Sequence, residues 1–162
     1  MKRWAKTAGM ELLTLFMILG VLELCSRFFA PAPPLATRHD SLVGARYPRS
    51  MDRLVYNAES GKPVSFRTNA VGFRGPEWPL GRQPGIHRVA ILGDSFIASE
   101  ALEVEDTLNH KLNQLLASRV ASGDTWEVMN FGVAGSSTAD QLALYQNVVR
   151  RYKPDIIVVG YG

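Results

Sequence analysis

A short apolar run that ends at a glycine constrains the fold of this chain more than any other part of its sequence. Residues 89–92 are continuously apolar, and Gly93, Asp94 and Ser95 follow directly. A strand without alternating polar residues is typical of a parallel sheet that is covered on both faces. In open α/β sheets, ligands and catalytic groups gather just beyond the carboxyl ends of the strands. The sequence therefore predicts Ser95 at the edge of a sheet where chemistry is expected.

The residues that follow alternate between further strands and helices. We predict strands near 126–131 and 156–159, separated by helices near 106–120 and 137–152. Strands that alternate with helices through short loops indicate parallel pairing. Two apolar stripes are expected to be buried: Leu108, Leu112, Leu115 and Leu116 on the first helix, and Leu142, Tyr145, Val148 and Val149 on the second.

Composition and charge exclude several kinds of function. The chain has 162 residues and one cysteine, Cys25, so it contains no internal disulfide. Its three histidines are scattered without ligand spacing, so a zinc site is not expected. Residues 1–85 hold twelve Lys or Arg and six Asp or Glu, whereas residues 86–162 hold six and nine. The basic excess lacks interleaved aromatic residues, which favours a membrane-proximal segment over a nucleic-acid partner.

The first 30 residues are predicted to form a transmembrane helix that remains attached. Lys2, Arg3 and Lys6 precede an apolar segment over residues 8–29, which is long enough to cross a bilayer. The basic residues favour a cytoplasmic N-terminus, which would place the rest of the chain on the other side of the membrane. We therefore expect a single-pass membrane protein with an extracytoplasmic domain, either periplasmic or on the cell surface.

Three other interpretations of this segment are open at the level of sequence. A signal peptidase could cut at the small-x-small sequence 30–32, although Pro33 directly after it disfavours cleavage. Lipidation at Cys25 is disfavoured because the preceding Leu24 is larger than the residue usually found there. A buried helix of a soluble protein would also have this composition.

Residues 31–85 are rich in proline and are predicted to form a largely extended arm. Within it, residues 64–69 alternate like a strand, and residues 69–75 are typical of a turn. Arg74 in that turn is interpreted as a solvated arginine, with an anion contact as the alternative. The predicted organisation is an anchor over 1–30, an arm over 31–85 and an α/β domain over 86–162.

A second loop that contains glycine is expected beside Ser95. It follows the strand near 126–131 and includes Gly135. A glycine there lets a backbone N–H approach a ligand without a side chain in the way. Ser95 as a nucleophile, with the N–H groups of Ser95 and Gly135 as oxyanion donors, is an arrangement for acyl transfer. A simple turn and a phosphate-binding loop are the alternatives, but neither loop has a P-loop or a full dinucleotide-binding pattern.

Several segments, in order, resemble the sequence blocks of one enzyme family. The Gly-Asp-Ser-Phe sequence at 93–96 resembles block one of the SGNH (GDSL-type) hydrolases, and the Asn-Phe-Gly-Val-Ala-Gly sequence at 130–135 resembles block two. Residues 152–159 are similar to the strand that leads into block three. Residues 69–74 are similar to a segment of bacterial, membrane-anchored members. The resemblance covers residues 63–162.

The resemblance implies a role for each matching residue. Ser95 would be the nucleophile, Ser95 and Gly135 would form the oxyanion hole, and Gly93, Asp94 and Asn130 would support them. The implied fold is α/β, a flavodoxin-like three-layer α/β/α sandwich with a parallel sheet, preceded by a transmembrane helix. No cofactor and no metal are implied. The block-three Asn and the Asp-x-x-His of the family are absent, so we expect the N-terminal half of the fold, truncated and inactive without its base.

These observations favour a serine ester hydrolase, an esterase or lipase-like enzyme that acts outside the cytoplasm through an acyl-enzyme on Ser95. The expected partners are the membrane, through the N-terminal helix, and a small-molecule or polysaccharide ester substrate, with no nucleic acid. One alternative is an O-acyltransferase or deacetylase that acts on a cell-envelope polysaccharide. Another is a non-catalytic anchored module.

The anchor interpretation predicts that the protein stays in the membrane fraction. A C-terminally tagged chain expressed in a bacterial host should sediment with membranes and require detergent for release, because a span of ~20 apolar residues inserts into hydrocarbon. Fractionation and N-terminal sequencing check this result. A soluble product that starts near Pro33 would contradict the anchor and favour a cleaved signal peptide.

Overall fold

The computed structural model describes residues 2–29, 37–81, 83–119 and 125–161, and the chain divides into two compact units. The first unit, Met1–Leu35, contains helix α1 (Lys2–Phe29). The second unit, Ala36–Gly162, contains every strand and the other helices of the described residues. The prolines at positions 31, 33 and 34 and the possible cleavage sequence at 30–32 lie outside the described residues.

Helix α1 contains a candidate membrane span. The stretch Gly9–Phe28 is 20 residues long and is apolar enough to cross a membrane, by length and composition. Its side chains are exposed, which differs from the core helix of a soluble protein. Near its end Arg27 donates to Glu23 at 2.8 Å, one helical turn earlier. A signal sequence shares the length and composition, and the fractionation experiment distinguishes it from an anchor.

The second unit begins with two antiparallel hairpins and continues as a mixed α/β region with a three-stranded parallel sheet. The hairpin strands are β1 (Arg38–Asp40), β2 (Gly44–Arg46), β3 (Asp52–Asn57) and β4 (Lys62–Arg67). The sheet strands are β5 (Ile86–Gly93), β6 (Thr125–Gly132) and β7 (Ile156–Val159), in the order β6-β5-β7. The helices are α2 (Ser95–Ala98), α3 (Leu108–Arg119) and α4 (Thr138–Asn147), with 3₁₀ turns at Val104–Asp106 and Val149–Tyr152.

The parallel pairing predicted for the three sheet strands is confirmed. Strand β5 lies between the other two and pairs with both in parallel. In this register Gly93 lies opposite Gly132 of β6, and Leu92 lies opposite Val159 of β7. The carboxyl ends of the three strands therefore meet at one edge of the sheet.

The sheet buries side chains on both of its faces. Val89 and Ile91 of β5 pack on one face with Val128 of β6 and with side chains of α3. Ala90 and Leu92 join a larger core on the other face, which includes residues of the hairpins and of α4. The continuous apolar run of β5 reflects this double coverage.

Helix α3 covers its face through only half of the predicted apolar stripe. Leu112 and Leu116 pack against the core of that face, whereas Leu108 is 49% and Leu115 is 46% exposed. The prediction that all four are buried is therefore wrong. The helix lies over β6, an edge strand among the described strands, so part of its stripe extends beyond the sheet.

Helix α4 is shorter than predicted and ends at Asn147, after which a 3₁₀ turn continues to Tyr152. Val149 in that turn is fully buried, as expected, but Leu142 is 56% exposed, contrary to the prediction. Leu142 lines an open apolar groove of about 370 Å³ between α4 and β7. The side chains of Ile156–Val159 are 41–45% exposed along the same edge.

The proline-rich segment folds into the two hairpins and supplies a large part of the main core. Tyr47, Phe66, Phe73 and Trp78 are each at most 6% exposed and belong to the same core as Phe131 of β6. The ring centroids of Phe73 and Phe131 are 4.9 Å apart, and those of Trp78 and Phe131 are 5.4 Å apart. Within this segment the sequence pattern predicts a strand only over residues 64–69, which overlap β4.

A buried arginine ties the start of β5 to its neighbours. Arg88 is 1% exposed, and its Nε donates to Glu127 Oε2 of β6 at 2.7 Å. Its Nη1 donates to the carbonyls of Gly81 and Tyr152 at 2.6 and 2.7 Å. A charge is tolerated in a protein interior when it is paired and hydrogen-bonded in this way.

Three glycines at the ends of the sheet strands leave room for the turn that follows β5. Gly93, Gly132 and Gly160 surround Ile97 of α2. A Cβ added at Gly93 or Gly160 would lie 2.2 or 2.8 Å from the Ile97 side chain. A Cβ added at Gly132 would lie 2.3 Å from the backbone nitrogen of Ala98. The turn therefore rests directly on the carboxyl edge of the sheet.

This packing predicts that Ile97→Ala rescues Gly160→Ala but not Gly132→Ala. Each glycine substitution alone should lower the free energy of unfolding by about 1–3 kcal/mol, because it overpacks a closed contact. Loss of the Ile97 side chain removes the group that the Gly160 Cβ meets, but it leaves the backbone of Ala98 in place. Urea unfolding of the single and double variants measures both coupling energies. Equal coupling for the two pairs would contradict the packing.

Candidate active site

Ser95 is the first residue of α2, at the turn that follows β5. Asp94 caps this helix, because its Oδ1 accepts the N–H of Phe96 at 2.9 Å. The carbonyls of Asp94 and Ser95 accept the N–H groups of Ala98 and Ser99 at 3.0 and 2.9 Å. The turn is thus fixed at both ends, and Ser95 on it is exposed.

The hydroxyl and the backbone N–H of Ser95 are both free of hydrogen bonds within the part of the chain that the structure describes. Among residues 37–81, 83–119 and 125–161, neither group has a partner. An exposed hydroxyl is accessible to a substrate, and an unpaired N–H is available to an oxyanion. Both groups belong to one residue, so they share a small volume.

The second loop, residues 133–136, is tied to the end of β5. The N–H of Val133 and the hydroxyl of Ser136 both donate to the Gly93 carbonyl, at 3.0 and 3.1 Å. Gly135 has a φ of +77°, a left-handed conformation that favours glycine. No described residue accepts the N–H of Gly135. The structure therefore brings the predicted donor loop beside the turn and leaves its glycine amide unpaired.

The buried side chain of Asn130, on β6, supports the turn that carries Ser95 through hydrogen bonds. Its side chain is 1% exposed, and its Nδ2 donates to the Ile97 carbonyl at 2.8 Å and to Asn109 Oδ1 at 3.0 Å. Its Oδ1 accepts the N–H of Gly132 at 2.8 Å. One buried amide thus links α2, α3 and the end of β6. The structure places this predicted supporting residue behind the turn.

Arg74 holds the loop after α2, residues 99–102. Its Nη1 donates to the Ser99 carbonyl, and its Nη2 donates to the Leu102 carbonyl at 2.6 Å. The guanidinium also lies 5.3 Å from the centroid of the Phe66 ring. Arg74 is 3% exposed, and burial lowers its pKa. The interpretation as a solvated arginine is therefore wrong, and the groups that Arg74 contacts are backbone carbonyls.

Two other side chains hold the same loop, and like Arg74 they come from residues 37–81, which contain both hairpins and are called the hairpin segment below. The Nδ2 of Asn57 donates to the Ala101 carbonyl at 2.7 Å. The hydroxyl of Tyr47 donates to Glu100 Oε1 at 2.7 Å and accepts the N–H of Ala134 at 3.0 Å. Together with the arginine, these side chains bind all four residues of the loop after α2.

The sequence alone does not indicate the roles of these three side chains. Tyr47 and Asn57 lie 53 and 44 residues before the loop residues that they bind, so no local pattern connects them. Arg74 belongs to the 69–74 segment that the family resemblance had singled out, and that resemblance was the one available signal.

An open groove of about 490 Å³ lies in front of the turn. It is lined by Ser95, Phe96, Ser99, Glu100, Ala101, Leu102 and Ala134. Most of the lining surface is apolar, and Phe96 is 77% exposed. The hydroxyl of Ser99 is already bonded to the Phe96 carbonyl at 2.7 Å, and Glu100 is bonded to a tyrosine. The groove therefore offers mainly apolar contacts beside the Ser95 hydroxyl.

No histidine in the described part of the chain bonds to Ser95. His87 stacks on Trp126, with ring centroids 5.0 Å apart, near the start of β5 and so at the end far from Ser95. His110 lies on α3, and His39 lies on β1. The described residues also contain no group of three His, Cys, Asp or Glu side chains that could hold a metal. Among these residues, the exposed Ser95 hydroxyl therefore has no imidazole partner that could accept its proton.

Comparison with known proteins assigns no family to this chain. No protein-family model matches it, and no curated protein matches it. What the site does must therefore follow from its own residues and geometry.

Asn130→Ala should lower the free energy of unfolding by about 1–3 kcal/mol, because it leaves the buried N–H of Gly132 without a partner. Asn113→Ala is the matched control, since Asn113 is exposed on α3 and its side chain has no hydrogen-bond partner within the described residues. The control should change the free energy by less than about 0.5 kcal/mol. Urea unfolding followed by circular dichroism measures both, and equal losses would contradict the bracing role.

Proposed function

We propose that this protein is a membrane-anchored serine hydrolase of the SGNH type, which cleaves esters outside the cytoplasm. The observation that carries the proposal is the exposed Ser95 hydroxyl at the carboxyl edge of the sheet, in a turn next to the loop 133–136, which is tied to the end of β5. The hydroxyl and the N–H groups of Ser95 and Gly135 are all unpaired within the described residues. A serine hydroxyl with backbone N–H donors directed at its substrate is suited to acyl transfer. The apolar groove supports this proposal because it provides a surface for the acyl group.

In the proposed mechanism, the Ser95 Oγ attacks the ester carbonyl carbon while its proton passes to a general base. The carbonyl oxygen becomes an oxyanion and accepts hydrogen bonds from the N–H groups of Ser95 and Gly135. Collapse of the tetrahedral intermediate breaks the bond to the alcohol, which takes the proton and leaves. Water then attacks the acyl-enzyme, and release of the carboxylic acid restores the Ser95 hydroxyl.

The general base is the part of this mechanism that the described residues do not supply. In the family that the sequence resembles, the base is a histidine in an Asp-x-x-His sequence, and that sequence occurs nowhere in the 162 residues. Without a base, a serine hydroxyl is a weak nucleophile. The proposed mechanism therefore requires a base beyond those that the described residues provide, and activity is assayed in the protein as its own gene encodes it.

The finer architecture that we propose is a flavodoxin-like three-layer α/β/α sandwich. The parallel sheet supports it, as do the two separate cores on the faces of that sheet. Helix α3 packs in one of these cores, and α4 packs in the other. In such folds the carboxyl edge of the sheet is the usual place for a reactive residue.

For the membrane we propose that α1 is retained as an anchor with its N-terminus in the cytoplasm. The candidate span and the basic residues Lys2, Arg3 and Lys6 before it support this orientation. The Ser95 site would then act on esters of the cell envelope or its surroundings.

Ser95→Ala should abolish hydrolysis of a short-chain nitrophenyl ester by the full-length protein. A fluorophosphonate probe should label the wild-type protein at Ser95 and fail to label the variant, because such probes react with activated serine hydroxyls. Ser118→Ala is the matched control, since Ser118 is exposed on α3 and should leave both results unchanged. Retained hydrolysis in Ser95→Ala, or labelling at another residue, would refute the nucleophile assignment.

Gly135→Val in the same assay should lower turnover by about 10²–10³-fold, because it displaces one oxyanion donor. A thermal melt of this variant checks its folding, since valine is strained at a φ of +77°. Transfer of the acyl group to an added polysaccharide in place of water would identify the acyltransferase alternative.

A further inference from the structure

We propose that Tyr47 is a positioning residue of the Ser95 site, which sets the direction of the Gly135 N–H by holding Ala134. The proposal rests on the proposed function, because it concerns the oxyanion donors of that same site. Tyr47 acts through the backbone of the donor loop and makes no contact with the substrate.

The Tyr47 side chain is fixed by packing, so its hydroxyl has a defined position. Tyr47 is 2% exposed, and its ring centroid lies 5.0 Å from that of Phe66. The hydroxyl donates to Glu100 Oε1 at 2.7 Å and accepts the N–H of Ala134 at 3.0 Å. A single hydroxyl therefore joins the loop after α2 to the loop of residues 133–136.

Because the Tyr47 hydroxyl stays protonated, it always donates to Glu100 and accepts from Ala134. Burial, together with the bond to Glu100, raises the pKa of Tyr47 far above its ordinary value. Glu100 is oriented in turn by Arg53, whose Nη2 lies 3.5 Å from Glu100 Oε2. The Tyr47 hydroxyl therefore donates its hydrogen to the Glu100 carboxylate, and its oxygen accepts the N–H of Ala134.

The loop closes as a turn over Ala134 and Gly135, because the N–H of Ser136 donates to the Val133 carbonyl at 3.1 Å, and the bond from Ala134 to Tyr47 orients this turn relative to the rest of the site. Within the described residues, no atom beyond its chain neighbours lies within 4 Å of the position a Gly135 Cβ would take. The loop is anchored to the end of β5 at Val133 and at Ser136. Between those anchors, the bond from Ala134 to Tyr47 is the one hydrogen bond from another element that the described residues provide.

Tyr47→Phe tests the proposal, because it removes the hydroxyl and keeps the packed ring. In the full-length protein, kcat should fall by about 10–100-fold while KM stays within about twofold, since a misplaced donor weakens binding of the transition state more than binding of the substrate. Amide hydrogen exchange over residues 133–136 should become about tenfold faster. Tyr56→Phe is the matched control, because Tyr56 is 68% exposed on β3 and should change neither quantity.

Two substitutions at the partner carboxylate provide an independent test. Glu100→Gln retains an oxygen that accepts the Tyr47 hydroxyl and should keep slow exchange in the donor loop. Glu100→Leu removes that acceptor, so the tyrosine hydroxyl loses its orientation, and exchange over residues 133–136 should rise. If Tyr47→Phe fails to fold, the difference between these two variants decides the proposal.

Unchanged kcat in Tyr47→Phe, or unchanged exchange over residues 133–136, would overturn the positioning role. A loss of kcat that accompanies a general loss of thermal stability, without selective exchange in the donor loop, would assign Tyr47 a purely structural role and would also overturn it. Absence of Ser95-dependent hydrolysis in the wild-type protein would refute the proposed function. In that case the exchange comparison still decides whether Tyr47 orders the loop.

Discussion

The turn that carries Ser95 rests on the carboxyl edge of the parallel sheet, against strand ends that carry no side chains of their own. This contact exists because the strands end at glycines, which let Ile97 of α2 approach the strand backbones. The strand register then determines which loop lies beside the turn. Because Gly93 lies opposite Gly132, the loop after β6 begins next to α2 and is tied to the end of β5. The glycines at the strand ends and the register between β5 and β6 therefore explain why two loops that are distant in sequence lie side by side.

The hairpin segment supplies the hydrogen bonds that the loop after α2 lacks. Backbone carbonyls outside regular secondary structure need other partners when they are removed from water. Arg74 and Asn57 provide donors to three such carbonyls. Burial of the Arg74 guanidinium disfavours its charge and lowers its pKa, and the carbonyls and the Phe66 ring offset part of that cost. In the structure, the proline-rich segment from residue 37 onward belongs to the same compact unit as the sheet.

The sheet strands were predictable from the sequence because their signal is local, and their parallel pairing followed from the helices between them. The turn at Ser95 and the loop with Gly135 were also indicated locally, by small residues at strand ends. The exposure of Leu115 was not predictable, since it depends on where α3 passes the edge of the sheet rather than on the spacing of its leucines. The contacts of Tyr47 and Arg74 were missed for a similar reason, because each joins residues that only the tertiary fold brings together.

The bond between Tyr47 and Ala134 joins residues that are 87 positions apart in the chain. The chain entropy lost on closing a loop grows with its length, so this contact is costly until the intervening segments are ordered, whereas each hairpin closes between near neighbours. We therefore expect the link between the two loops to form late in folding. A partly folded chain would present a serine hydroxyl without a correctly directed amide beside it. The site would then be able to stabilise an oxyanion only after the whole second unit has folded.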